Sequence, residues 1–116
     1  MAIKGRKFSP IPRYKLMEYA VRVYHELLAK KIRTDAIILY GSQAKGNPHA
    51  DSDIDFAVIS RDFGRDQIKD NITVNGLAAK IDARISVITF GFDDFFVGKS
   101  YIPLKHEIMK HGDCLI

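Results

Sequence analysis

Three short apolar runs constrain the fold of this chain more than any other feature of its sequence. They cover residues 35–40, 53–60 and 83–90 and are rich in β-branched side chains, and Gly41 stops the first of them. Apolar runs this brief are typical of buried strands, because helices usually need ten or more residues to bury a face. The sequence therefore predicts three strands of a sheet.

Helical periodicity is clearest between residues 14 and 31. Apolar residues recur there at three- and four-residue steps, which predicts an amphipathic helix that covers one face of the sheet. The predicted inward stripe consists of Met17, Ala20, Val21, Tyr24, Leu27 and Leu28.

Residues 67–80 fit two structures. Ile68, Ile72, Leu77 and Ala79 allow a helix, whereas the sequence ITV before Asn75-Gly76 allows a strand and a tight turn. We favour the helix.

The remaining segments complete the predicted order. A basic arm at 4–15 contains Pro10 and Pro12, so it is expected to be extended. A short helical turn is predicted at 93–96, with Phe95 and Phe96 in the core, and a terminal helix at 103–111. Strands that alternate with helices in this way imply an α/β or α+β fold in which helices cover a sheet.

Length and composition limit the class of protein. The 116 residues fit one domain, 1–116, and the hydrophobic fraction of 47% with 28% charged residues is that of a soluble globular chain. The lone Cys114 excludes a disulfide framework and a cysteine metal site, and no apolar run is long enough to span a membrane. We therefore expect a cytoplasmic protein. The net charge of +4 favours anionic partners, among which nucleic acid on the basic arm is the less favoured.

A glycine turn follows the first predicted strand. Gly41 and Ser42 end that strand, and QAKG allows only about one helical turn before Asn47-Pro48 breaks it. Backbone N–H groups, a hydroxyl and the positive end of a helix are the arrangement that binds phosphate, and Lys45 would add charge. The alternative is a tight turn in which only glycine fits.

Two aspartates start the second predicted strand. Asp53 and Asp55 point to the same side of that strand, away from Ile54 and Phe56. Two like charges this close raise each other's pKa and destabilise the fold unless a cation lies between them. Hard oxygen ligands without histidine or cysteine favour magnesium or manganese. The alternative is a solvated loop end, to which we assign Asp51.

These residues resemble a known motif. Gly41-Ser42, ten further residues and Asp53-Ile54-Asp55 resemble the signature of the DNA polymerase β-like nucleotidyltransferase superfamily, and GSQAKG with SDIDFAV resembles its minimal nucleotidyltransferases, the MNT group. The resemblance implies a mixed sheet covered by helices. It also implies that Asp53 and Asp55 are catalytic and bind two Mg²⁺ ions, and that the Gly41-Ser42 turn holds the triphosphate of ATP or another NTP.

One departure concerns a third carboxylate. The family usually carries it about nine residues before the aromatic of an acidic-acidic-aromatic turn, and counting back from Phe95 leads to Ser86. The nearest acid is Asp82, four residues earlier. Either the register differs and Asp82 is the third ligand, or the site has two carboxylates.

The resemblance also implies a function. Members of the family transfer a nucleoside monophosphate to an acceptor hydroxyl and expel pyrophosphate. MNT proteins of this size are commonly partners of HEPN ribonuclease toxins and place AMP on a toxin tyrosine. The leading hypothesis is therefore a magnesium-dependent nucleotidyltransferase that acts as an antitoxin on a HEPN-type toxin protein. The alternative is a catalytically inactive binding module that neutralises its partner by occlusion. Whether the chain forms a homo-oligomer is left open.

Overall fold

The fold is described from a computed structural model that covers residues 11–45, 53–98 and 102–116. In these ranges the elements are α1 (Arg13–Ala29), β1 (Ala36–Tyr40), α2 (Gly41–Lys45), β2 (Ile54–Ser60), α3 (Gln67–Ala79), β3 (Ile85–Gly91), α4 (Phe92–Phe96), α5 (Pro103–His111) and β4 (Asp113–Cys114). Most of the predicted basic arm, the predicted break at 46–48 and Asp51 lie outside these ranges. No helix within them combines the length and apolarity needed to cross a membrane.

The strands form one mixed sheet with the order β3-β2-β1-β4. β1 is antiparallel to both β2 and β4, whereas β2 and β3 are parallel. In this register Tyr40 pairs with Asp55, and Asp55 pairs with Ser86. The prediction of a sheet covered by helices is confirmed, and three side chains form a row across β1, β2 and β3 at one end of it.

β2 lies in the middle of the sheet and is buried on both faces. Phe56 and Val58 belong to the core beneath α1 and α3, while Ala57 and Ile59 belong to the core beneath α4 and α5. Every residue of this strand is buried except Asp55, which is partly exposed. Asp55 is therefore the one partly exposed polar position of the strand, near its beginning.

α1 is confirmed as a helix, but its predicted inward stripe was partly wrong. Val21 and Leu28 are exposed, and Met17 and Tyr24 are only partly buried at the margin of the core. The buried residues are Leu16, Tyr19, Ala20, Val23 and Leu27. Two apolar stripes overlap in this sequence, and the helix presents the one that contains Tyr19. Its hydroxyl donates a hydrogen bond of 2.9 Å to Asp82.

α3 is a helix, and the strand-and-turn alternative was wrong. Asp66 caps its beginning by accepting a hydrogen bond from the Lys69 N–H. Of the apolar residues that favoured a helix, Ile68 and Ile72 have exposed fractions of 75% and 69%. The sides that face inward carry Val74, Leu77 and Ala78, together with the amides of Gln67, Asn71 and Asn75.

These three amides, spaced four residues apart, bond to the backbone of β3. Asn75 accepts from the Val87 N–H at 2.8 Å and donates to the Val87 carbonyl at 2.9 Å. Asn71 accepts from the Thr89 N–H at 2.8 Å, and Gln67 donates to the Thr89 carbonyl at 3.0 Å. Because β3 is an edge strand, these side chains supply the hydrogen bonds that another strand would otherwise make.

After β3, the predicted short helix and terminal helix are confirmed, the burial of one phenylalanine is corrected, and one strand was not predicted. The terminal helix has its predicted bounds, Pro103–His111. Phe95 is buried as predicted, but Phe96 is 47% exposed and packs edge-on against Phe95. The two-residue strand β4, which was not predicted, pairs with Ile38 and Leu39. A strand this short has too few residues for a periodic pattern.

Replacing Asn75 by alanine should lower the free energy of unfolding by about 1–3 kcal/mol, because the N–H and carbonyl of Val87 lose their partner. The control is Ile72→Ala on the exposed side of the same helix. This substitution should change the free energy of unfolding by less than about 0.5 kcal/mol. Urea unfolding followed by circular dichroism measures both. Equal effects of the two substitutions would show that the amide does not stabilise the edge.

Candidate active site

The candidate site lies at the end of the sheet where β1 stops and both β2 and β3 begin. Tyr40, Asp55 and Ser86 are aligned there on three adjacent strands. Because alternate residues share a face, the three side chains point to the face covered by α4 and α5. Asp53 precedes β2 and is exposed. The sequence motif and the sheet register therefore bring the predicted aspartates to one edge of the sheet.

Gly41 makes room for Asp55. A β-carbon at Gly41 would collide with Oδ2 of Asp55 and would lie 3.3 Å from its Cγ, so the carboxylate packs directly against a bare α-carbon. The φ angle of Gly41 is +76°, a left-handed conformation that side chains other than glycine rarely adopt. Glycine is thus required here for two independent reasons. The predicted glycine turn and the predicted carboxylate are in contact.

The carboxylate pair is electrostatically unfavourable without a ligand. Burial raises the pKa of Asp55, and the neighbouring charge of Asp53 raises it further. Burial, and secondarily the charge of Asp55, also raises the pKa of Tyr40 to about 12. Within the described ranges neither aspartate takes part in an ion pair. Two hard-oxygen donors that lack a cation are a donor set that fits Mg²⁺.

The remaining predicted phosphate ligands lie on α2, which begins at Gly41 itself. Ser42 is in its first turn and is partly buried. Lys45 is in its last turn, where Nζ lies 3.3 Å from Oε2 of Glu107 on α5. Lys45 is therefore already paired with a carboxylate, and a phosphate would have to compete with Glu107 for it.

Gln43, which the sequence did not single out, anchors the other side of α2. Its side chain is buried, and Oε1 accepts a hydrogen bond of 3.3 Å from the Ile11 N–H. A buried polar residue in a short polar helix has no periodic signal, so only the contact itself reveals its role.

Asp82 is engaged away from the aspartate pair. Arg84 donates hydrogen bonds of 2.8 and 3.0 Å to its two carboxylate oxygens, and the Tyr19 hydroxyl donates a third. These bonds, with that of Arg84 the largest contribution, hold the pKa of Asp82 well below its usual range. Tyr19 belongs to the core on the α1 side of the sheet, whereas Asp55 points to the other face.

The position beside Asp55 on the neighbouring strand is instead occupied by Ser86, whose side chain is exposed. Within the described residues no group of three or more acidic, histidine or cysteine side chains is arranged to hold a metal. The geometry therefore presents two carboxylates and a hydroxyl.

Comparison with known proteins supports this description. The family model for "Polymerase beta, Nucleotidyltransferase" matches residues 24–116. Among curated proteins, no relative matches the chain.

Several solved chains share the fold, among them two from toxin-antitoxin structures. One is a crystal structure of a mutant of the toxin-antitoxin MntA-HpeT, with a TM-score of 0.59 and 20% identity. The other is a crystal structure of a toxin-antitoxin with AMP-PNP, with a TM-score of 0.62 and 21% identity. Each match covers 86% of this chain and 72% of the other. The polymerase β-like fold implied by the motif is thereby confirmed.

Replacing Gly41 by alanine should lower the free energy of unfolding by about 1–3 kcal/mol, because the new β-carbon meets Asp55 in an unfavourable backbone conformation. Gly76→Ala is the matched control. No atom lies within 4 Å of a β-carbon at that helical position, so the substitution should stabilise the protein by about 0.5–1 kcal/mol. Urea unfolding of both variants tests whether the two substitutions change the free energy of unfolding in opposite directions.

Asp55→Asn should stabilise the metal-free protein at pH 7. The pKa of Asp55 is raised in the fold, so ionisation at neutral pH opposes folding. Below the unfolded pKa of about 4 wild type is protonated in both states, and the difference should vanish. Urea unfolding in EDTA at several pH values measures this. If the difference in unfolding free energy between Asp55→Asn and wild type did not change with pH, the electrostatic explanation would be contradicted.

Proposed function

Because this chain belongs to the polymerase beta nucleotidyltransferase family, we propose that it transfers AMP from ATP to a hydroxyl of a partner protein and thereby acts as an antitoxin. The proposed partner is a HEPN-type toxin and the proposed metal is Mg²⁺. Two solved structures of the same fold are toxin-antitoxin structures, one of them with AMP-PNP. These likenesses support the partner class and the nucleotide.

A single observation carries the proposal: the side chain of Asp55 lies against Gly41, directly after a strand and at the start of a helix. A triphosphate bound by the backbone of Gly41 and Ser42 would therefore lie next to Asp55 and Asp53. These two aspartates would hold the metal. When bound, Mg²⁺ would neutralise phosphate charge and lower the pKa of the acceptor hydroxyl.

The chain's own residues would position the reactants. The Gly41-Ser42 turn would fix the phosphates, while the aspartates would orient the α-phosphate toward the exposed end of the sheet. There the acceptor oxygen forms a bond to the α-phosphorus, the bond to pyrophosphate breaks, and the hydroxyl proton passes to solvent. Most of the rate enhancement would then come from positioning and charge stabilisation.

A second candidate function is a binding module that neutralises its partner without catalysis. The observation that favours it is the incomplete acidic set, with Ser86 beside Asp55 and with Asp82 bonded to Arg84 and Tyr19. Two carboxylates bind a divalent ion more weakly than three. Such a site would hold a nucleotide poorly unless the triphosphate supplies further ligands.

Calorimetric titration of ATP with Mg²⁺ should show binding to wild type and none to Asp53→Asn/Asp55→Asn. The matched control is Asp93→Asn/Asp94→Asn, which removes two exposed carboxylates from the first turn of α4 and should bind normally. Binding that survives the loss of both site aspartates would contradict the proposed site.

Modification of the partner separates the two candidate functions. With the proposed HEPN-type toxin, ATP and Mg²⁺, wild type should increase the mass of the toxin by one AMP, whereas Asp53→Asn should leave it unchanged and toxic. A toxin that is neutralised equally by Asp53→Asn and whose mass never changes would establish the binding module instead.

A further inference from the structure

The outer face of α3 carries apolar residues that no described part of the chain covers. Ile68 and Ile72 are 75% and 69% exposed, and Gly76 follows at the same four-residue spacing. At about 100° per residue these positions form one stripe on the helix surface. Glycine inside a helix is destabilising, and no neighbouring atom lies within 4 Å of a β-carbon there. Packing within the described part of the chain therefore does not explain why isoleucines and a glycine occupy these positions.

Positive charge borders this stripe. Lys69 and Lys80 lie on its solvent side, Arg65 precedes the helix, and all three are exposed. In the described ranges none of them takes part in an ion pair. Two acids lie nearby, Asp66 and Asp70, but their carboxylates accept backbone N–H groups of Lys69 and Gly64, and the three cations outnumber them. The charge of this border is thus complementary to an acidic surface.

A row of amides, each one residue before a member of the stripe, holds α3 in place. Gln67, Asn71 and Asn75 bond to the outer edge of β3, so the edge has no free backbone groups at Val87 and Thr89. Addition of a partner strand is therefore disfavoured there. A partner that reaches this side of the molecule meets the side chains of α3 instead.

The stripe is also close to the candidate site. α3 runs antiparallel to β3, and Asn75 bonds to Val87, the residue after Ser86. Ser86 in turn pairs with Asp55 on the next strand. A protein bound along the stripe would therefore extend past the edge of the sheet at which the two aspartates lie.

We propose that this α3 face, formed by Ile68, Ile72, Gly76, Lys69 and Lys80, docks an amphipathic helix of the partner protein whose apolar stripe is bordered by aspartate or glutamate. The isoleucines pack on the apolar stripe of that helix, Gly76 permits close approach of its backbone, and the lysines pair with its acids. The inference rests on the proposed function, since it identifies where the partner that carries the acceptor hydroxyl binds.

The apolar part of the surface is tested with Ile68→Glu/Ile72→Glu, titrated calorimetrically with the proposed HEPN-type partner toxin. Affinity should fall by about tenfold or more, because the buried centre of an interface dominates binding. Leu28→Glu is the matched control, a 56% exposed leucine on α1, and should change affinity less than about twofold. Ile68→Ser/Ile72→Ser is a milder second variant should the glutamates impair folding, and it should weaken binding in the same direction.

The charged border is tested with Lys69→Glu/Lys80→Glu. Toxin affinity should fall, and its dependence on salt should become weaker, because attraction between the two surfaces is lost. Arg22→Glu, an exposed cation on α1, should leave both unchanged. An affinity and salt dependence equal to wild type in the lysine variant would overturn the acidic character of the partner surface.

The outcomes distinguish this docking proposal from the proposed function. If the Ile68→Glu/Ile72→Glu variant binds the toxin as tightly as wild type does, docking on α3 is overturned, even if the variant binds ATP. Wild type that binds toxin through α3 but never binds ATP with Mg²⁺ overturns nucleotide transfer and leaves docking intact. Light scattering of the protein alone supplies the remaining test. A wild-type dimer that the isoleucine substitutions dissociate would show that a second copy, and not the toxin, covers this face.

Discussion

Burial of β2 on both faces is the constraint on which the other features depend. A strand enclosed by two helical layers can carry polar groups only where it leaves the core, and Asp55 lies at that position. Its carboxylate then needs space as well as a counter-charge. Gly41 provides the space, because it has no β-carbon to collide with Asp55 and because its φ of +76° turns the chain directly into α2. The end of one strand, the start of a helix and the start of the next strand are thereby linked.

The same constraint shapes the edge of the sheet. β3 flanks β2 and has no neighbour on its outer side among the described strands, so its backbone groups need other partners. The amides of α3 provide them, and the helix turns a polar side inward that an apolar pattern would not predict. Ile68 and Ile72 consequently face solvent. The exposed apolar stripe on α3 thus results from the way in which the α3 amides hydrogen-bond the outer edge of β3.

The chemistry of the candidate site follows from the different surroundings of three aspartates. Asp82 has Arg84 and Tyr19, and its pKa is lowered, whereas Asp55 is partly buried beside Asp53 with a raised pKa. Stabilised carboxylates of the first kind support the fold. Carboxylates of the second kind are characteristic of sites that bind a cation. This difference supports assigning the metal to Asp53 and Asp55, with Ser86 in place of a third acid.

The sequence by itself determined β1, β2 and β3, the glycine turn and the pairing of Asp53 with Asp55, because these depend on local backbone preferences and on two-residue alternation. It also indicated the family, since the motif is contiguous. Tertiary structure alone decided which stripe of α1 is buried, that Asp82 bonds to Tyr19, and that Lys45 pairs with Glu107. Tertiary structure also decided that the amides of α3 face the edge of β3. Each of these depends on a partner distant in sequence, and periodicity carries no information about the identity of such partners.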